Sequence, residues 1–289
     1  MRVARAARAR ADATIVAAAL VLYNPRSVIR KDVGMAKRSP LAEKLKDVQE
    51  RVAAAAADAK RDPKEVTLVA VTKTAAPEQI REIIQLGVGD LGESRVQVLT
   101  QRAMQMNEFY QRRASAGDEN VAAKLRWHMI GHLQRNKIKG VLPLVSLIHS
   151  VDSLRLAEEL EAQAGKIEKR VPVLMQVNAS EEPQKYGVAV GAAVHLAEQI
   201  DSMPHLQLLG LMTMAPLDAN EKQTRHCFAR TREIFDEMKW HKIGGTGLRH
   251  LSMGMSNDFE AAIAEGATMV RVGTLLFGGK RADEEMGEE

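Results

Sequence analysis

Val66-Thr67-Leu68-Val69-Ala70-Val71-Thr72-Lys73-Thr74 is a short run of apolar and β-branched residues that ends in a lysine, with Pro77 and helix-forming sequence after it. Apolar on both faces, it predicts a fully buried parallel strand over 66–73. Lys73 then falls at the strand's carboxyl end, where parallel α/β proteins place their chemistry. Taken alone, the stretch favours a solvated lysine entering a loop. The rest of the chain changes that balance.

Upstream, Ser39-Pro40 opens a helix, with Ser39 as N-cap and Pro40 at the first helical position. Leu41, Leu45, Val48 and Val52 follow as one apolar stripe. Downstream, strands are expected near 88–92, 125–130, 147–151, 171–178, 206–213, 249–253 and 269–272, with helical sequence between them. A loop is expected at Ala116-Gly117-Asp118-Glu119, and a helix over 190–202. Eight strands alternating with helices predict a single-domain α/β protein, a (β/α)8 TIM barrel. Little sequence follows the eighth strand, so the helix at 40–60 is expected to cover that side.

The chain has 289 residues and 45% hydrophobic content, enough for one large core. Aromatics at 3% argue against a stacking surface for nucleic acid. The net charge of +4 is concentrated at one end: residues 1–34 carry +5, which leaves the remainder at −1 and without a basic surplus for phosphate backbones. The apolar patch at 15–22 is too short to span a bilayer, and only Asn24-Pro25-Arg26 follows it, not a small-residue cleavage site. Its composition allows a transit peptide; a start of translation at Met35 is the plainer account. Residues 1–38 are therefore read as a disordered or wrongly assigned extension, 39–280 as the barrel and 281–289 as an acidic tail. The single cysteine, Cys227, excludes an internal disulfide and fits a reducing, cytoplasmic compartment.

Gly87-x-Gly89-x-x-Gly92 matches a dinucleotide fingerprint by letters, but its last glycine closes a strand and does not open a helix. His128 and His132 are four apart, roughly 13 Å along an extended chain, so no metal site is expected there. The strongest chemical signal is at the ends of the last two strands. Ser252-Met253-Gly254-Met255-Ser256-Asn257-Asp258 joins a close-approach glycine to a capping serine, and Gly273-Thr274 adds a second glycine and hydroxyl. Barrels commonly bind phosphate between these two loops. Arg271, inside Met269-Val270-Arg271-Val272, has a role only if it faces the barrel interior. A lysine, a phosphate site and a buried arginine together suit one ligand with an aldehyde, a phosphate and a ring: pyridoxal 5'-phosphate, bonded to Lys73 as a Schiff base.

With these motifs the sequence closely resembles the pyridoxal phosphate homeostasis protein family, single-domain relatives of the alanine racemase barrel. The resemblance covers roughly residues 40–279. It also includes Trp127-His128-Met129-Ile130-Gly131-His132-Leu133-Gln134, His149-Ser150-Val151-Asp152-Ser153, Gln176-Val177-Asn178 and Gly210-Leu211-Met212-Thr213. It implies that Lys73 carries the cofactor, that Ser256, Gly273 and Thr274 contact the phosphate, and that Arg271 faces the pyridine nitrogen; Met253 and Gly254 are read as cofactor-binding with them. Lys185, in Gln184-Lys185-Tyr186-Gly187, matches a second family lysine associated with cofactor handling. Ser94 stands where the family usually has asparagine, which shortens that contact.

The resemblance implies a cofactor carrier without strong turnover, a monomer or weak homodimer that serves apo-enzymes. The alternative is a racemase or related amino-acid-processing enzyme. Alanine racemase takes a tyrosine from a second domain, and Tyr23, Tyr110 and Tyr186 are the only tyrosines here.

Overall fold

The computed structural model describes residues 39–116 and 124–279. The extension at 1–38, the tail at 281–289 and Gly117, Asp118 and Glu119 of the expected loop lie outside the described residues.

The first strand, β1, is Thr67–Val71, two residues shorter than predicted at its end. Thr72 still donates its N–H to Gly92 O at 2.9 Å, but Ala75 N bonds back to Thr72 O at 2.8 Å and closes a turn. Lys73 therefore sits in that turn. The others are β2 (Asp90–Glu93), β3 (Arg126–Met129), β4 (Leu147–Val151), β5 (Val171–Asn178), β6 (Val188–Ala189), β7 (Leu206–Met212), β8 (His250–Ser252) and β9 (Met269–Val272). All pairings are parallel. The ring β1-β2-β3-β4-β5-β7-β8-β9 returns to β1, a closed eight-stranded barrel as predicted. The unpredicted β6 is a two-residue addition beside the projecting end of β5, where Val177 and Asn178 face Val188 and Ala189. That pairing holds the backbone extended, so the helix expected from 190 begins with a short 3-10 turn, Val190–Ala192, and becomes α-helical at Ala193.

The helices are α1 (Pro40–Asp58), α2 (Pro77–Gln85), α3 (Val96–Ser115), α4 (Ile138–Val141), α5 (Leu154–Lys166), α6 (Ala193–Asp201), α7 (Glu221–Trp240), α8 (Phe259–Ala264) and α9 (Thr274–Phe277). Ser39 caps α1 by accepting from Ala42 N at 3.1 Å. The stripe Leu41, Leu45, Val48, Val52 and Ala56 is buried, and each large side chain on it contributes roughly 1.5–3 kcal/mol. α1 packs on α8 and α9, the side that β9 leaves without a full helix of its own. Arg51 fixes the contact, with Nε 2.8 Å from Glu260 Oε1 and its guanidinium 4.8 Å above the Phe259 ring. The expected cover is in place.

Candidate functional site at the barrel mouth

Three consecutive strands of the ring, β8, β9 and β1, bring most of the predicted residues together. Lys73 is exposed in the turn after β1 and forms no hydrogen bond or ion pair among the described residues. Next to it, Thr74 Oγ1 donates to Gly278 O at 3.1 Å, tying that turn to the segment after α9. Gly273 and Thr274 follow β9 directly, and Arg271 N donates to Gly254 O at 3.0 Å, joining β9 to the loop after β8. Met253 is fully buried and Ser256 nearly so. Gly254 has φ +91°, and a Cβ there would meet Ala262 Cβ at 2.6 Å, so the residue fits this turn as glycine alone.

Arg271 settles its alternative: it is 4% exposed and faces inward. Its Nη1 donates to Ser252 O at 2.8 Å and Ser252 Oγ at 2.7 Å, and its Nη2 to Thr213 O at 2.9 Å. Burial brings its guanidinium down to about 10, against a smaller opposing pull from Asp258. Among the described residues no carboxylate pairs with it.

Ser94, after β2, flanks Lys73 on the other side. Its N–H donates to Glu93 Oε1 at 2.8 Å, and its hydroxyl stands 3.5 Å from the same oxygen. The backbone packs tightly here, since a Cβ on Gly131 would lie 2.2 Å from Ser94 O. Lys185 approaches from the β5 and β7 side of the ring. It lies in the loop after β5, donates to Ala215 O at 2.9 Å and is paired with Glu182.

His128 and His132 are separated as expected. His132 pairs with Asp152 at 3.2 Å and stacks on Tyr186, ring centres 4.0 Å apart. It borders a cleft of about 750 Å³ beyond β3 and β4, lined also by Arg135, Asn136 and Arg155, which holds none of the predicted site residues. No group of side chains able to hold a metal ion occurs among the described residues.

Two features escaped the sequence reading. Glu93, fully buried, accepts from Thr72 Oγ1 at 3.2 Å and Arg102 Nη1 at 2.8 Å, while Arg102 also reaches Thr72 O and, at 3.0 Å, Ala75 O. The pair brackets the turn that carries Lys73. A buried polar line also crosses the barrel interior through Asp90, His128, His149 and Ser252. The available signal was one polar residue at an interior position in each of several apolar strands.

The donor set fits pyridoxal phosphate. An unpaired amine, a buried donor-only cation and two adjacent turns, carrying Ser256 after β8 and Gly273 with Thr274 after β9, stand on neighbouring strand ends.

Fold and site together define a barrel of the alanine racemase type, and the family described as alanine racemase, N-terminal domain, matches residues 37–281. A pyridoxal phosphate homeostasis protein of Aquifex aeolicus is 40% identical over 239 residues, covering 83% of this chain and 98% of that protein. One from Pseudomonas aeruginosa is 38% identical, covering 84% and 96%. The chain belongs to the pyridoxal phosphate homeostasis protein family. Among solved structures, PipY of Synechococcus elongatus with pyridoxal phosphate bound is 33% identical, with a TM-score of 0.66, covering 82% of this chain and all of that one. Clostridium difficile alanine racemase, 14% identical with a TM-score of 0.60 and 58% of its length covered, shares the fold.

Proposed function

We propose that this chain binds pyridoxal 5'-phosphate at the barrel mouth and maintains its intracellular supply. It would hold the cofactor as a Schiff base on Lys73 and release it to apo-enzymes, without strong turnover of its own. The observation that carries the reading is Lys73: an exposed lysine without an acid partner among the described residues, beside the turns after β8 and β9. The cofactor supplies an aldehyde, which condenses with an amine and loses water. In the chain, the turns at Gly254, Ser256, Gly273 and Thr274 would take the phosphate. Arg271 would donate to the ring nitrogen, Met253 would back the phosphate turn, and Ser94 would flank the ring. Lys185 would assist in loading or release from the rim. PipY, solved with pyridoxal phosphate bound, supports the cofactor's identity.

No helix among the described residues is long and apolar enough to cross a membrane. We place the protein in the cytoplasm as a monomer or weak homodimer, with neither nucleic acid nor membrane as partner.

The test is the absorbance spectrum of the protein with added pyridoxal phosphate, beside Lys73→Ala. A protonated-imine band that borohydride abolishes and the variant lacks is expected; no band in either would overturn the reading. Amino-acid-dependent turnover above the Lys73→Ala control would instead support the racemase alternative.

A further inference from the structure

Arg271 donates and never accepts. Ser252 Oγ, 2.7 Å from Arg271 Nη1, is therefore an acceptor in that bond, and its own hydrogen must go elsewhere. The partner in reach is Nδ1 of His149, 2.9 Å away across the barrel from β8 to β4. A neutral imidazole that accepts at Nδ1 carries its proton on Nε2. His149 Nε2 lies 2.9 Å from His128 Nδ1, so that nitrogen accepts in turn. His128 must then be protonated on Nε2, which lies 2.9 Å from Asp90 Oδ1. Asp90 ends the line as a carboxylate gripped at both oxygens by Arg126, at 2.6 and 2.5 Å. Every hydrogen in the line points from Arg271 towards Asp90. The direction follows from the chemistry of its two ends.

We propose that His128 and His149 are positioning residues that, with Ser252, couple the Arg271 guanidinium to the Asp90 carboxylate, so that a charge on β2 tunes the hydrogen-bond donor strength of Arg271 on β9. Its bearing on a cofactor ring nitrogen rests on the function proposed above; the line itself does not.

The surroundings favour a neutral His149 ring. His128, His149 and Ser252 have no exposed surface. The charged and titratable groups around them are Arg126 and Asp90 at one end, Arg271 at the other with Asp258 acting on it, and His250 on β8. Burial, then His128, Arg271 and His250, keep the His149 ring well below the usual histidine value. In a dry interior each hydrogen bond polarises the next, which lets a charge act several bonds away.

Nitrogen NMR of the cofactor-free, full-length protein tests the line. Both rings are expected to carry hydrogen on Nε2 only, and His149 to hold that form between about pH 5 and 8. An Nδ1–H form of either ring, or titration of His149 inside that window, would overturn the assignment. Asp90→Asn keeps an acceptor for His128 and removes the charge. It should shift the Arg271 guanidinium resonances, and His149→Phe should abolish that shift by interrupting the line. An unmoved Arg271 resonance in Asp90→Asn, or a shift that persists in the double variant, would refute the coupling. In cofactor-loaded protein the imine band's pH midpoint should move lower in Asp90→Asn, because a stronger donor draws charge from the ring. A protein that takes up no cofactor would defeat the proposed function while the resonances still decide the coupling.

Discussion

Arg102 Nη1 lies 2.8 Å from Glu93 Oε2, and the two side chains together hold the backbone on both sides of Lys73. Glu93 is wholly buried and Arg102 largely so, which makes the pair far costlier to break than a surface bridge. Glu93→Gln should lower stability by about 3 kcal/mol in urea unfolding. It should also slow formation of the borohydride-trapped Lys73 adduct. An unchanged midpoint and rate would remove the pair from any role in presenting the lysine.

Acid should weaken the fold well before its carboxylates titrate. Burial, with Arg249 and His128, holds His250 at about 3, and His149 is also held below its ordinary value of 6.5. The unfolded chain takes up protons on both near pH 6.5 and the folded chain does not. Stability is therefore full above about 6.5 and falls as pH drops from there towards 3, by up to about 1.4 kcal/mol per pH unit for each ring. Burial raises the Asp90 carboxyl, but Arg126 and His128 outweigh it and bring it to about 2. Its contribution is present above about 3.8 and lost as pH falls to 2, in the same direction. Urea midpoints at about pH 7, 6 and 5 should decline steadily; a flat series would contradict neutral buried rings.

Gly254→Ala should damage the mouth and the fold together. The new methyl would meet Ala262 Cβ at 2.6 Å and Phe259 Cα at 2.8 Å, at a φ of +91°. Strain of this kind costs about 1–3 kcal/mol. Thermal melting should show it, with a larger proportional loss of pyridoxal phosphate affinity than in a core variant of equal stability. Wild-type affinity in Gly254→Ala would detach this turn from phosphate binding.

Ser94→Asn should strengthen cofactor retention. The serine hydroxyl stands at the far limit of hydrogen bonding to Glu93 Oε1, and an amide reaches further with an added donor. One more neutral hydrogen bond is worth about 1 kcal/mol, roughly fivefold in affinity. Equilibrium dialysis of both proteins would measure it, and equal retention would mean that position 94 does not touch the ligand.

The barrel was legible because its strands are short, apolar and evenly spaced, and because Lys73, Gly254 and Gly273 mark strand ends. Strand limits were less so. Thr72 looks like strand by type, yet its carbonyl closes the turn to Ala75. β6 could not be read from its own two residues, since it exists only where the end of β5 projects. His128 was visible as half of a rejected metal pair and as one letter of a family motif, with no role attached. Its real partners are 21 and 38 residues away, and nothing local encodes a bond across a barrel interior. Glu93 and Arg102 resembled an ordinary strand end and a surface helix for the same reason.

β1 pairs with β9, and α1 packs on α8 and α9. On the ribosome, the first part of the barrel to emerge must wait for the last. Until residues 259–277 are made, the α1 stripe and the open edge of β1 have no native partner, and both are surfaces prone to misassociation. A nascent chain stalled before α8 should therefore depend on chaperones for as long as it is stalled, and completing the final twenty or so residues of the barrel is the step that releases it.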